Sequence, residues 1–312
     1  MAAISLVLTG FFETIESWLL YYPFRAISIT PARYGVPFED VLFSASDGTR
    51  LHGWHVPPAE PGGPVILWAH GNAGNVSHRS ENIAMIRRET GAGVFIFDYR
   101  GYGRSEGRPR EAGLYADMRG AHAWLKGRVP PGRIFLFGRS LGAAVAVRIA
   151  AEGAQARGLI LEGPFESLAA MGEKVFPFLP VRRLVVQEFD NVKWLPRVGL
   201  PLLLLHGDAD EIVPFAQGRR LFELAPPPKR FHRIAGAGHN DTYLAGGPAY
   251  WAAWREFLAA PPEPTPGGSP TPRKTLSSPW PVASPDGGIA CSQLVVLSAG
   301  ATGLHPHLRT NG

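Results

Sequence analysis

The sequence predicts an α/β fold with a mostly parallel central sheet and helices on both faces. Three observations predict it. Short, uninterrupted apolar runs at Val65–Ala69, Val94–Phe97, Leu159–Leu161 and Leu202–Leu205 have the composition of strands buried on both faces. Helix-period segments alternate with them, which is the order of a sheet built by crossover connections. The runs open into loops rich in Gly, Asn or Asp at the carboxyl ends of the strands, where ligands of such sheets bind.

The elements follow in order. Glu39–Ala45 and Arg50–Val56 are expected to be two strands joined by Ser46-Asp47-Gly48-Thr49, whose Asp-Gly pair favours a tight hairpin turn. Val65–Ala69 feeds His70-Gly71-Asn72-Ala73-Gly74-Asn75, a loop able to turn backbone N–H groups toward a ligand. Ser80–Glu89 reads as a helix, Val94–Phe97 as a strand, Asp98–Gly107 as a long polar loop and Leu114–Lys126 as a helix. Phe135-Leu136-Phe137-Gly138-Arg139-Ser140-Leu141-Gly142-Ala143-Ala144 then reads as strand, sharp turn and helix, with Ser140 at the turn.

Residues 163–201 interrupt the alternation with Pro164, Pro177, Pro180 and Pro196 and many Phe and Leu residues, which suits a short helical insertion over the strand ends. Phe165, Met171, Phe176 and Phe178 within it are candidates for an acyl pocket. After the strand at Leu202–Leu205 come His206-Gly207-Asp208-Ala209-Asp210, a helix over Ala216–Leu224, a strand over Arg230–Ile234, the turn Ala235–Asp241 and a helix over Pro248–Leu258. The expected organisation is an N-terminal apolar or amphipathic helix over 1–24, one domain over 25–260, and a disordered Pro/Ser/Gly-rich tail over 261–312.

Composition excludes several function classes. The 312-residue chain carries 31 Lys and Arg against 26 Asp and Glu. The basic residues are dispersed rather than interleaved with aromatics, so no nucleic-acid partner is expected. A single cysteine, Cys291, excludes an internal disulfide and a cysteine-rich metal site. Neither metal nor organic cofactor is expected.

The first basic residue is Arg25, so the charged start of a cleavable secretory signal is missing. Ile4, Leu8, Phe11, Ile15, Leu19 and Tyr22 recur at helical spacing opposite Glu13 and Glu16. This segment has three readings: a helix docked on the domain, a helix lying on a membrane, or a weak transmembrane anchor. The expected location is cytoplasmic or membrane-associated.

The chemistry centres on Ser140 in Gly-x-Ser-x-Gly. A serine hydroxyl needs a base to take its proton and a carboxylate to orient that base. Downstream the chain supplies acids at one strand end and then His239 after a Gly-rich turn, in the order Ser, Asp, His. Asp208 and Asp210 share one loop and Asp241 lies beside the histidine, so the sequence alone does not choose between the two loop aspartates. Asp241 is too close in sequence to reach around the imidazole. The oxyanion donors of such a site are the backbone N–H groups of Leu141 and Asn72. His70 and His206, each before a glycine at a strand end, are expected to hydrogen-bond their loops.

These motifs together, from His70–Asn75 through Asp98–Gly107 and Phe137–Gly142 to Gly238-His239-Asn240-Asp241, resemble the α/β-hydrolase-domain serine hydrolases. The branch is the one that contains the membrane-associated abhydrolase-domain proteins and their bacterial relatives. The similarity covers roughly residues 20–259. It implies the α/β-hydrolase fold and an esterase or thioesterase acting through an acyl-enzyme on Ser140, with a small-molecule or lipid-like acyl ester as substrate; the alternatives are a serine peptidase of the same fold and a catalytically silent hydrolase-fold binding module. The family's His-Gly-x-x-Asp-x-x-Val-Pro pattern implies Asp210 as the acid. The resemblance also favours the membrane reading of the N-terminus.

Overall fold

The computed structural model describes Ser17 and residues 20–262. An eight-stranded sheet runs in the order β10-β9-β8-β7-β4-β6-β3-β2. Its members are β2 (Glu39–Ser44), β3 (Arg50–Val56), β4 (Val65–Ala69), β6 (Gly93–Phe97), β7 (Ile134–Arg139), β8 (Gly158–Glu162), β9 (Leu202–Gly207) and β10 (Lys229–Ile234). β2 pairs antiparallel with β3, and β3 antiparallel with β6; every other pairing is parallel. This is the mostly parallel sheet expected from the apolar runs.

Strand alternation divides the core into two layers. Leu67, Phe95, Leu136, Leu161 and Leu204 face one side, against α2 (Glu111–Lys126), α3 (Leu141–Ala151) and Leu221 of α7 (Phe215–Leu224). Ile66, Trp68, Ile96, Phe137, Ile160 and Leu203 face the other, against α1 (Ser80–Thr90) and α9 (Gly247–Ala259). Helices on both faces leave the carboxyl ends of the parallel strands as the open edge where loops gather.

At that edge β7 turns into α3 with almost no room. Ser140 sits at φ 53° and ψ −119°, a positive φ that a side-chain-bearing residue adopts only under strain. The glycines on either side let the crossing close: a Cβ on Gly142 would stand 2.0 Å from the Ala69 carbonyl oxygen, and one on Gly138 would stand 2.4 Å from that of Gly142. Both neighbours are backbone and cannot step aside, so the turn requires glycine at each position.

Residues 163–201 form the expected helical insertion, with α4 (Leu168–Val175), α5 (Val181–Leu184) and α6 (Asn191–Trp194). It is tied down by Phe189, fully buried, and by the Glu111 carboxylate, which accepts from the N–H groups of Glu188 and Phe189 at 2.6 and 2.9 Å. One expectation needs correcting here. Phe176 and Phe178 are 54% and 96% exposed and do not line the cavity that holds Ser140.

The expected N-terminal helix does not continue through residue 24: Tyr22–Pro23 form β1, a two-residue strand parallel to β5 (Ala73–Gly74). Pro23 cannot supply the N–H that a continuing helix needs. The apolar segment before Ser17, the tail beyond Pro262 and Cys291 lie outside the described residues. No helix among the described residues is long and apolar enough to cross a membrane. The short α8 (Thr242–Ala245) is followed by α9, the last helix among the described residues, which ends at Ala259.

Candidate active site

A cavity of about 330 Å³ opens at the carboxyl edge of the sheet, between the Asn72 loop, the Ser140 turn and the insertion. Ser140, Leu141, Asn72 and His239 all line it. Its apolar wall comes from Phe165, Leu168, Met171, Ile212 and Val213. Phe165 and Met171, two of the four residues expected to form an acyl pocket, line this cavity.

The histidine is held from both ends. Its Nδ1–H donates to Asp210 Oδ2 at 2.7 Å, which leaves Nε2 as the unprotonated nitrogen of the neutral ring. Its backbone N–H donates to Glu211 Oε2 at 3.2 Å, and its carbonyl accepts from Arg139 Nη2 at 2.6 Å. Asp210 in turn is fixed by the N–H groups of Ile212 and Val213, which donate to Oδ1 at 2.9 and 2.7 Å. His206 Nε2 lies 3.4 Å from Asp210 Oδ2 and 3.0 Å from the Val213 carbonyl oxygen.

Burial alone would raise the Asp210 carboxyl. The hydrogen bonds from His206 and His239, the attraction of His239 and the Val213 N–H outweigh it, and hold the group well below the usual carboxylate range. A carboxylate held toward its ionised form thus faces the imidazole.

The other two aspartates go elsewhere. Asp208 accepts from Arg233 Nε at 2.7 Å and from the Gly236 N–H at 2.7 Å. Asp241 accepts from the Gly238 N–H at 2.7 Å and so closes its own turn.

Ser140 Oγ makes no hydrogen bond among the described residues, and the N–H groups of Asn72 and Leu141 have no acceptor there. Leu141 is the first residue of α3, whose N–H cannot be satisfied within the helix. The Asn72 loop is braced by its side-chain Nδ2–H, which donates to the Leu20 carbonyl at 2.8 Å, and by the Tyr102 hydroxyl, which donates to the Asn72 carbonyl at 2.6 Å.

His70 and His206 bond their loops as expected. His70 Nδ1–H donates to the Gly71 carbonyl at 2.7 Å, and its ring packs 4.5 Å from that of Tyr99. Its Nε2 is buried without a partner among the described residues, and burial pushes the imidazole from 6.5 down to about 4. Between these values the unfolded chain binds the proton and the folded one does not. Stability is therefore complete above pH 6.5 and is lost as pH falls, by about 3 kcal/mol at pH 4 from this group. Urea unfolding from pH 7.5 to 4.5 should show a shallower acid loss in His70→Gln than in the wild type; equal slopes would contradict the assignment.

Sequence reasoning missed Arg139 and Glu162. Arg139 occupies a variable position of Gly-x-Ser-x-Gly, yet its Nε–H donates to Glu162 Oε1 at 2.9 Å while Nη2 holds the His239 carbonyl. Glu162 also accepts from Thr242 Oγ1 at 2.9 Å and from the Tyr250 hydroxyl at 2.6 Å. The turn carrying Ser140 and the loop carrying His239 are thereby bound to one buried carboxylate. A charge closing an otherwise apolar strand, Leu159-Ile160-Leu161-Glu162, was the available signal.

This fold and site define the class. The chain belongs to the α/β-hydrolase family. The family model described as serine aminopeptidase, S33, matches residues 61–193. Uncharacterized protein Rv2307c of Mycobacterium tuberculosis (strain ATCC 25618 / H37Rv) is 41% identical over 269 residues, covering 83% of this chain and 93% of that protein. Alpha/beta hydrolase domain-containing protein WAV2 of Arabidopsis thaliana is 35% identical over 254 residues, covering 75% and 82% respectively. Among solved structures, the Pyrococcus furiosus esterase Pf2001 superposes with a TM-score of 0.63 at 22% identity, over 77% of this chain and 97% of that one; this likeness is one of fold.

Proposed function

We propose that the protein is a serine hydrolase that cleaves a carboxylic ester or thioester through an acyl-enzyme on Ser140. The observation that carries this reading is the Asp210–His239 hydrogen bond of 2.7 Å beside a strained, unengaged serine in one cavity.

The Ser140 hydroxyl attacks the substrate carbonyl carbon as His239 Nε2 takes its proton, and the charge left on the imidazolium is stabilised by ionised Asp210. The tetrahedral oxyanion receives hydrogen bonds from the N–H groups of Asn72 and Leu141, each such donor contributing about 3 kcal/mol in comparable sites. His239 then returns the proton to the leaving oxygen or sulfur. Water, deprotonated by the same nitrogen, then attacks the acyl carbon, and the bond to Ser140 breaks as His239 returns that proton to Oγ and the acid leaves. The Ser140–His239 contact closes when substrate fills the site, as such contacts tighten in the reacting complex.

A second reading, a peptidase using the same residues, is favoured by the match to the serine aminopeptidase family model. The two diverge on the leaving group. A p-nitrophenyl ester series from acetate to palmitate, run beside aminoacyl p-nitroanilides, separates them. The proposal expects ester turnover with an optimum set by the Phe165–Met171 wall; turnover of the anilides alone would favour the peptidase, and turnover of neither would overturn both.

A further inference from the structure

Arg79 lies at the end of the short 3-10 turn Val76–Arg79, a few residues beyond the Asn72 loop. It lines the cavity that holds Ser140 and also the wider groove beside it, whose walls include Tyr22, Phe24, His78 and Asn240. Arg79, Ala73 and Asn240 are the residues the two spaces share, so the guanidinium stands where one opens into the other.

Among the described residues the charge of Arg79 is uncompensated. One Nη2–H donates to the Ala73 carbonyl at 2.7 Å, while Nε is buried without a partner. Among the described residues no carboxylate forms an ion pair with it. Burial pushes its guanidinium down to about 10 and the neighbouring Arg139 adds to the effect, yet the group remains protonated at neutral pH. Arg139, by contrast, is neutralised by Glu162 at 2.9 Å. Holding a cation in a partly desolvated site without a counter-ion is costly, and a bound anion removes that cost. A guanidinium presents a fork of donors suited to a carboxylate or a phosphate.

Resting on the serine-hydrolase reading, we infer that the substrate carries an anionic group on its leaving-group side, which Arg79 recognises at the junction of cavity and groove. The apolar wall of Phe165, Leu168 and Met171 takes the acyl chain, and the anion lies toward Asn240 and Arg79 on the histidine side. The shared chemistry is an oxyanion with two or more acceptor oxygens, from a carboxylate or from a phosphate monoester.

Matched substrates test it, with the acyl group fixed at the length turned over fastest in the p-nitrophenyl series. One pair is the acyl ester of 3-hydroxybenzoate and that of its methyl ester. A third compound is the acyl ester of 3-hydroxyphenyl phosphate, whose rate against the benzoate tells which anion is preferred. In the wild type the anionic members should have kcat/KM at least about tenfold above the neutral one, as expected for a charge-assisted hydrogen bond. Arg79→Gln should bring that ratio to about one, and Arg79→Lys should keep part of it. An unchanged ratio in Arg79→Gln would overturn the inference. So would an equal fall in kcat for all substrates, which would assign the cation to the reacting carbonyl or to loop structure instead. Should no ester be turned over, the ester-hydrolase reading fails. Binding of 3-hydroxybenzoate and its methyl ester to Ser140→Ala, with and without Arg79→Gln, then decides the anion site alone. A preference for the acid that depends on Arg79 supports it, and equal binding overturns it.

Discussion

Ser140→Ala is expected to lose ester turnover by on the order of 10⁴-fold or more while staying folded. The size follows from the role: without the hydroxyl no acyl-enzyme forms, and the residual rate comes from binding and the oxyanion donors alone. The retained fold follows from the surroundings. Ser140 Oγ holds no hydrogen bond among the described residues, so its removal leaves no buried partner unsatisfied. Alanine keeps the same Cβ at φ 53°, so the strain of the turn is unchanged. Initial rates with the best p-nitrophenyl ester, together with thermal unfolding, check both halves. A variant that kept more than about a tenth of wild-type turnover would remove Ser140 from the mechanism.

Asp210→Asn is expected to reduce kcat by on the order of 10⁴-fold, and Asp208→Asn to leave it close to wild type. The asparagine amide is nearly the shape of the carboxylate, but it carries no charge and one of its ends is a donor. The Ile212 and Val213 N–H groups, which now donate to Oδ1 at 2.9 and 2.7 Å, will select the amide oxygen. The amide nitrogen then faces His239 Nδ1 and forces the other tautomer, with the proton on the nitrogen that should accept from serine. Asp208 touches Arg233 and the Gly236 N–H, not the imidazole, so its amide changes only a surface ion pair. Rates across pH for both variants would test the ranking; the reverse order would assign the acid to Asp208.

The strands were legible in the sequence because a parallel strand buried on both faces must be apolar at every position. Val65–Ala69 and Gly158–Leu161 show this without interruption. The hairpin was legible through Asp47-Gly48, since Gly48 takes φ 88°. The choice between Asp208 and Asp210 was not legible from spacing, because both follow β9 and the turn decides which one points at His239. Resemblance to the family favoured Asp210, and the geometry brings that residue to the imidazole.

Long-range polar links were the least legible. Arg139, Glu162 and Tyr250 lie on separate elements, and only the folded sheet brings β7, β8 and α9 to one carboxylate. The exposure of Phe176 and Phe178 escaped notice for a related reason. An aromatic residue in a Pro-rich insertion carries no periodicity that says which side it faces. The end of the N-terminal helix was marked in the sequence by Pro23, but its pairing with Ala73–Gly74 depends on a loop some fifty residues away.

The central claim is that Ser140 is a nucleophile activated by His239. A fluorophosphonate forms a covalent adduct only with a serine so activated, and peptide mass spectrometry places the adduct on a residue. The account predicts labelling of the wild type on Ser140, abolished in Ser140→Ala and strongly slowed in His239→Ala. No adduct, or an adduct on another residue with Ser140 unmodified, would contradict it.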